Sequence, residues 1–169
     1  LFGNEAIGGS VHLGTSTDFG KGFQAGISQQ FGSFGSFNTS AFAGFSSKNF
    51  SGKTKLYREF SKNNFPYKNL GQIGTPEVKE DHAQFEQIGI VQDLAWNLNA
   101  NNQLKTAFWW NKTNREVQPV MGSNTNDEQE DQAFRAAIDF FHFEEKSVWN
   151  LKTGFVKNEH LFNASQNNS

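Results

Sequence analysis

The chain is dominated by runs in which apolar and polar residues alternate with a period of two. This pattern constrains the fold more than any other feature, because alternate side chains of an extended strand point to opposite faces. Residues 22–31 place Phe23, Ala25, Ile27 and Phe31 on one parity, with Gln29 as the exception, and Gly22, Gln24, Gly26, Ser28 and Gln30 on the other. Residues 36–46 set Phe37, Ala41, Ala43 and Phe45 against Asn38, Ser40 and Gly44, with Phe42 breaking the polar side. Residues 53–60 read as a weaker strand without an assignable facing. Within 83–97, Ile88, Ile90, Leu94 and Trp96 share one parity, while Gln87, Gly89 and Asp93 share the other with Val91 and Ala95. Residues 103–114 alternate Leu104, Thr106, Phe108 and Trp110 against Lys105, Ala107, Trp109 and Asn111. Residues 132–143 set Phe134, Ala136, Ile138 and Phe140 against Arg135, Ala137, Asp139 and Phe141. Residues 148–160 set Trp149, Leu151 and Phe155 against Asn150, Lys152 and Gly154. No helical period of useful length is present.

The connections carry a second regularity. Short turns "GSFG" (32–35), "NANN" (99–102) and "EEKS" (144–147) contrast with long polar loops at about 61–82 and 115–131. Strands of about ten residues, with short turns at one end and long loops at the other, are the pattern of a transmembrane β-barrel. The polar parity holds Gln, Lys, Arg and Asp, which a dry sandwich core cannot take without partners. A water-filled or plugged lumen can take them. Trp96, Trp110 and Trp149 near strand ends suit interfacial girdles. A soluble antiparallel sheet with one wet face also alternates, so the pattern leaves that reading open.

Composition narrows the class further. The apolar material is aromatic and small, with 19 Phe among 169 residues, 16 Gly and few aliphatics. The net charge of −2 gives no field to recruit nucleic acid. The absence of Cys excludes a disulfide scaffold and Cys-based metal sites. No apolar run is long enough for a membrane-crossing helix, and no signal peptide is visible.

The opening stretch "LFGNEAIGGSVHLGTS" resembles the end of the plug in TonB-dependent outer-membrane receptors. Leu1, Phe2, Gly3, Ala6, Ile7, Gly8, Gly9, Val11 and Leu13 match that segment, and His12 departs from it. "SFGSFNTS" (33–40) resembles the first extracellular hairpin of these receptors. "NNFPYKN" (63–69) and "NREVQPVM" (114–121) resemble segments of the Bacteroidota branch. The likeness is to the siderophore and cobalamin type.

The resemblance implies an all-β fold: a partial transmembrane antiparallel β-barrel of about seven strands, out of about 22 in the family, with the last strand of a plug. Residues 1–19 would close the plug, with Ser10 to Leu13 as its strand and Gly3, Ala6, Gly8 and Gly9 as the plug-to-barrel motif. Residues 20–169 would start the barrel, the chain entering the wall by about Gly22. The chain then reads as a piece of a longer protein. The implied function is import of a scarce ligand across the Gram-negative outer membrane. The implied partners are TonB, acting through a plug N-terminus outside this chain, a small molecule or metal chelate, the lipid bilayer, and the remaining strands or partner chains. No nucleic acid partner is expected. The alternatives are a soluble β-rich carbohydrate-type module and a plugless porin or adhesin.

The residues give little sign of an enzyme, and none is expected. Tyr67, Asp81, His82, Arg115 and Gln118 fall in or beside the long loops and are the candidate ligand-side residues. "EVKEDH" (77–82) and "NDEQED" (126–131) gather carboxylates that could hold Ca²⁺. They lack the spacing of a calcium loop, so solvated acidic loops are the better reading, and no cofactor or metal is expected. The four His residues (12, 82, 142 and 160) show no metal-ligand spacing, and the glycines fit no phosphate-binding loop. Trp109 and Trp110 should point to opposite faces of one strand.

Overall fold

A computed structural model describes residues 18–119 and 125–165. These residues form an all-β fold with nine strands: β1 (Gly22–Gly32), β2 (Ser36–Ser46), β3 (Phe50–Ser61), β4 (Pro66–Lys68), β5 (Glu77–Lys79), β6 (Phe85–Asn97), β7 (Asn102–Val117), β8 (Asp127–Phe143) and β9 (Val148–Asn163). Seven make one antiparallel sheet in the order β1-β2-β3-β6-β7-β8-β9, and β4-β5 form a small hairpin. Every large-sheet strand therefore lies beside its neighbours in sequence, with only the hairpin between β3 and β6. The sheet is not closed: β1 and β9 are its edges. Gly3, Ala6, Gly8, Gly9 and the expected plug strand lie outside the described residues.

The period-two reading holds across the whole sheet. Phe23 pairs with Phe45, Phe45 with Gly52, Gly52 with Leu94, Leu94 with Thr106, Thr106 with Ile138 and Ile138 with Thr153. Directly paired residues share a face, so Phe23, Ile27, Phe108, Ile138, Leu151 and Phe155 all lie on one side. Gln24, Ser28, Lys105, Arg135, Asp139 and Lys152 lie on the other. The register also settles β3, which the alternation alone left open. Leu56 joins the apolar face, and Lys53, Lys55 and Tyr57 join the polar one.

The exceptions to the alternation have local causes. Gln29 sits on the apolar face and accepts a hydrogen bond from Thr39 Oγ1 at 2.5 Å. Gln92, on the same face, accepts from Thr54 Oγ1 at 2.5 Å and donates to the Lys53 carbonyl at 3.2 Å. Polar atoms there are satisfied within the sheet. On the polar face, the Phe42 ring lies over Gly26 on β1, where a β-carbon would fall 2.6 Å from its Cε1. The Lys53 ammonium lies 4.6 Å from the centre of the same ring. The aromatic that breaks the polar parity is thus covered by a glycine backbone and a cation.

The short connection 33–35 shares one end of the sheet with the loop 62–84 and with the end of β7 and the start of β8, while 47–49, 98–101 and 144–147 lie at the other. Two long polar segments differ from the sequence reading. The first contains β4 and β5. The second is shorter, because β7 runs on to Val117 and β8 starts at Asp127. Apart from Val117 those extensions are polar on both faces, so they carry no alternation, yet they pair residue for residue from Thr113↔Asp131 to Val117↔Asp127. In the β1–β2 turn, Phe34 adopts a left-handed φ of 57°, a costly conformation for an aromatic residue. Its ring meets Phe65 edge-on at 6.3 Å, tying the turn to the longer loop.

The sheet has no conventional core. Among the described residues, only Ala83 and Ala95 are buried apolar residues, and no large side chain is fully buried. The apolar face stands open, with Phe23 72%, Ile27 83% and Leu151 71% exposed. Among the described residues no second layer covers it, although a sheet face of this kind must be covered by something apolar.

Candidate functional site

The polar face is the more crowded one. The buried strand residues Ser46, Gly89, Ala95, Asn111 and Thr113 all belong to it. At its centre, β3, β6 and β7 bring together a built group. Tyr57 lies directly over Gly89, its register partner, with the ring in the space a side chain at 89 would need. Trp109 Nε1 donates to the Tyr57 hydroxyl at 2.9 Å. The Arg135 guanidinium covers the Trp109 ring at 4.4 Å, a cation–π distance. Asn111 is buried beside Gly89, and its Oδ1 has no hydrogen-bond partner among the described residues.

Of this group, Tyr57 and Trp109 border a hollow of about 380 Å³, lined also by Ser28, Asn38, Lys55 and Gln87 among others. Its walls are amides, hydroxyls and aromatic rings, with Lys55 and Glu59 as the charges. Such a surface binds polar groups by neutral hydrogen bonds and stacking. It offers no nucleophile paired with a base. Among the described residues, no three His, Cys, Asp or Glu side chains are grouped to hold a metal ion.

The candidate ligand-side residues gather at the long-loop end but do not form one cluster. Tyr67 lies in β4, and its ring tilts against Phe65 at 6.3 Å. Asp81 is exposed. His82 acts as a brace: Nε2 lies 3.0 Å from the Asp127 carbonyl, and Nδ1 lies 3.8 Å from the Glu116 carboxylate. Glu116 also accepts from the Gln84 backbone N–H at 2.7 Å. His82 therefore holds the end of the first long loop against β7 and β8. Arg115 is on the polar face and pairs with Asp131. Gln118 is exposed just past the end of β7. No hydrogen bond among the described residues joins Tyr67 to His82, Arg115 or Gln118.

A second charged group joins three strands at this end. Asp131 on β8 accepts from Arg115 on β7 and from Gln129 Nε2 at 2.8 Å, and His160 Nδ1 on β9 lies 2.7 Å away. Burial pushes the Asp131 carboxyl up, but the hydrogen bonds from His160, Gln129 and Arg115 together outweigh it and hold it below its ordinary range. On the opposite face, the hydrogen bond from Lys112, then that from Gln132, lowers Glu130.

Tyr57, Arg135 and Gln87 were not legible as site residues. Their signal was a glycine inside a strand, Gly89, which often marks a close approach of another group. No family model and no curated protein matches this chain.

Proposed function

We propose that the chain is part of the wall of a TonB-dependent outer-membrane receptor that imports a scarce ligand such as a siderophore chelate or cobalamin. Residues 20–169 contribute barrel strands, and residues 1–19 the end of the plug. The observation that carries this reading is the apolar face of the seven-strand sheet, interrupted by internally bonded polar pairs such as Gln29–Thr39 and Thr54–Gln92 and left uncovered by the described residues. On β6 it runs from Trp96 to Ile88, about 27 Å along the strand at the usual rise. That is the scale of the apolar band of a membrane barrel, about 25 Å tall.

The lower edge of this face supports the same reading. Within the strands it passes from Phe23 through Phe50, Trp96 and Phe140 to Trp149. The register partner of Phe23 on β9 is Thr153, so the edge has slipped four residues across six strand steps. This corresponds to an angle of roughly 25° at standard spacings. A level slab cuts tilted strands along such a line. A soluble carbohydrate-type module has no need of it, and would not leave this face bare.

In this reading the polar face lines the lumen. The hollow at Tyr57 and Trp109 offers the plug or a passing ligand neutral hydrogen bonds, and the long-loop end faces the cell exterior. The plug itself rests on the resemblance at Gly3, Ala6, Gly8 and Gly9, and so does the role of TonB, which would pull on the plug to open the path. The chemistry is binding and gating.

The test is uptake. Loss of the gene should abolish energy-dependent accumulation of one ferric chelate or corrinoid by intact cells. Gly8→Val and Gly9→Val should lower uptake while the amount of protein in the outer membrane stays the same. Undiminished uptake without the gene would refute the import reading. Diffusion of small solutes independent of TonB would mark a plugless pore, and recovery in the soluble fraction a soluble module.

A further inference from the structure

The register sets out two rows of polar side chains on the polar face, at the β1 side of the sheet. Ser28, Ser40 and Tyr57 are level with one another and with Gly89. One step further toward the long loops, Gln30, Asn38, Glu59 and Gln87 are level. The first row carries hydroxyls, and the second carries three amides around one carboxylate. At standard sheet dimensions, neighbours within a row stand about 4.8 Å apart and the rows about 7 Å apart. All of these side chains line the same hollow. Its floor is small, made by Ser28 and Ser40, because the Tyr57 ring lies over Gly89 on the side away from Ser40. The longer residues of the second row wall it toward the long loops. Lys55 and Trp109, level with Val91, wall it toward the short turns.

These side chains are not engaged with one another. Among the described residues, Ser28, Gln30, Asn38, Ser40 and Gln87 make no side-chain hydrogen bond, and Lys55 and Glu59 form no ion pair. Elsewhere on the polar face the partners are found: Lys152 meets Asp139, Arg115 and His160 meet Asp131, and Gln103 meets Asn97. The Tyr57 hydroxyl accepts from Trp109, which leaves its own proton to donate elsewhere. The hollow is also balanced in charge, since Lys55 and Glu59 are the charged residues lining it and they cancel. The nearby cations are held on aromatic rings, Lys53 at 4.6 Å from Phe42 and Arg135 at 4.4 Å from Trp109. A polyanion entering here would meet one ammonium and one carboxylate, and would lose its water without net attraction.

We propose that this grid seats one side of an electrically neutral ligand that presents amides and hydroxyls, so that the receptor selects such ligands over polyanionic chelates. The inference rests on the import reading and adds a substrate class to it. An amide side chain carries a donor and an acceptor in one plane, so Gln30, Asn38 and Gln87 each match an amide or a hydroxyl in either sense. Ser28 and Ser40 can likewise donate or accept, and Tyr57 donates. None of these contacts asks for a charge on the ligand. A hollow of about 380 Å³ takes a peripheral group rather than a whole chelate or corrinoid. The Trp109 ring gives that group an apolar wall.

The experiment uses intact cells carrying the full-length receptor, and it has two readouts. The first is the selectivity of the unaltered protein among three radiolabelled probes: cyanocobalamin, a neutral ferric trihydroxamate and a trianionic ferric tris-catecholate. Uptake that depends on the gene and on energy should be confined to one or both neutral probes. The second is the half-saturating concentration of the accepted probe. Asn38→Leu and Gln87→Leu, made singly, should each raise it roughly three- to tenfold, the effect of losing about one neutral hydrogen bond. Maximal uptake and the amount of protein in the outer membrane should stay the same. Lys55→Gln combined with Glu59→Gln should keep it within about twofold, because neutral hydrogen bonding survives the change. The first readout uses no variant, so the test stands even where a variant fails to assemble. Preference for the tris-catecholate overturns this inference and leaves the import reading intact. Unchanged half-saturation in the Asn38 and Gln87 variants does the same, and if those variants also admit vancomycin, the hollow holds the plug instead. No gene-dependent uptake of any of the three probes overturns both.

Discussion

The Tyr57 ring on β3 occupies the space above Gly89 on β6, where a β-carbon would lie 2.3 Å from Tyr57 Cζ. The hydroxyl is fixed by Trp109 on the next strand. Gly89→Val should displace the ring, break the bond to Trp109 and destabilise the sheet by about 1–3 kcal/mol, the usual cost of overpacking. Tyr57→Phe should cost about 1 kcal/mol, the net worth of one neutral hydrogen bond. Denaturant unfolding followed by Trp fluorescence checks both. A Gly89→Val protein as stable as the wild type would show that the ring moves aside freely.

The two faces should respond oppositely to charge. Phe108→Arg or Ile138→Arg, in the middle of the apolar belt, should cost roughly 2–4 kcal/mol in a bilayer. Ala107→Arg or Ala137→Arg, one residue away on the polar face, should cost much less. Folding titrations in lipid vesicles separate the two sets.

Thr54 and Gln92 form a polar pair inside the apolar face. Thr54→Val leaves the Gln92 side-chain oxygen without its donor and should cost about 1–3 kcal/mol. Thr54→Val combined with Gln92→Leu should recover most of that loss, because both polar ends are removed together. A double-mutant cycle reads the coupling.

Loop sidedness gives a topological test. Protease added to intact cells should cut within 62–84 or 118–126 and spare 98–101 and 144–147. The short turns should become accessible only from the periplasmic side. Cleavage confined to them in intact cells would invert the orientation.

Asp131, beyond the end of the belt on β8, gives a pH dependence. Its carboxyl is held below the ordinary range in the folded state. The tie between β7, β8 and β9 is therefore fully present above the unfolded carboxylate pKa of about 4. It is lost as pH falls through the lower folded value. Asp131→Asn should weaken the sheet at neutral pH, and the difference from wild type should shrink in acid. Stability curves of the two proteins from pH 7 to pH 3 measure it.

The sheet was legible wherever one parity is apolar, since Phe23, Ile27, Phe108, Ile138 and Phe155 declare their face through neighbours two residues away. Legibility ended where both parities are polar. The continuation of β7 through Asn114 and Arg115, and the start of β8 at Asp127, rest on backbone pairing and ion pairs that a hydrophobic period cannot register. The β4–β5 hairpin is three residues a side and begins at Pro66, too short for any period. The Tyr57 group was hidden for a different reason: Gly89, Trp109 and Arg135 meet only through the β3–β6–β7–β8 register, at separations no local window spans.

Because each strand of the large sheet pairs only with its neighbours in the sheet's chain order, the assembly is a series of hairpins with no crossover between distant strands. Such a sheet can be zippered from one edge, each hairpin docking on the one already formed, with loop-closure entropy lost in small instalments. The one costly closure is at the β3–β6 step, where the 62–84 segment must be spanned. The small β4–β5 hairpin and the His82 brace shorten that span. Weakening them should slow the growth of the sheet beyond β3 more than it loosens the finished structure, which makes the loop a kinetic determinant of assembly.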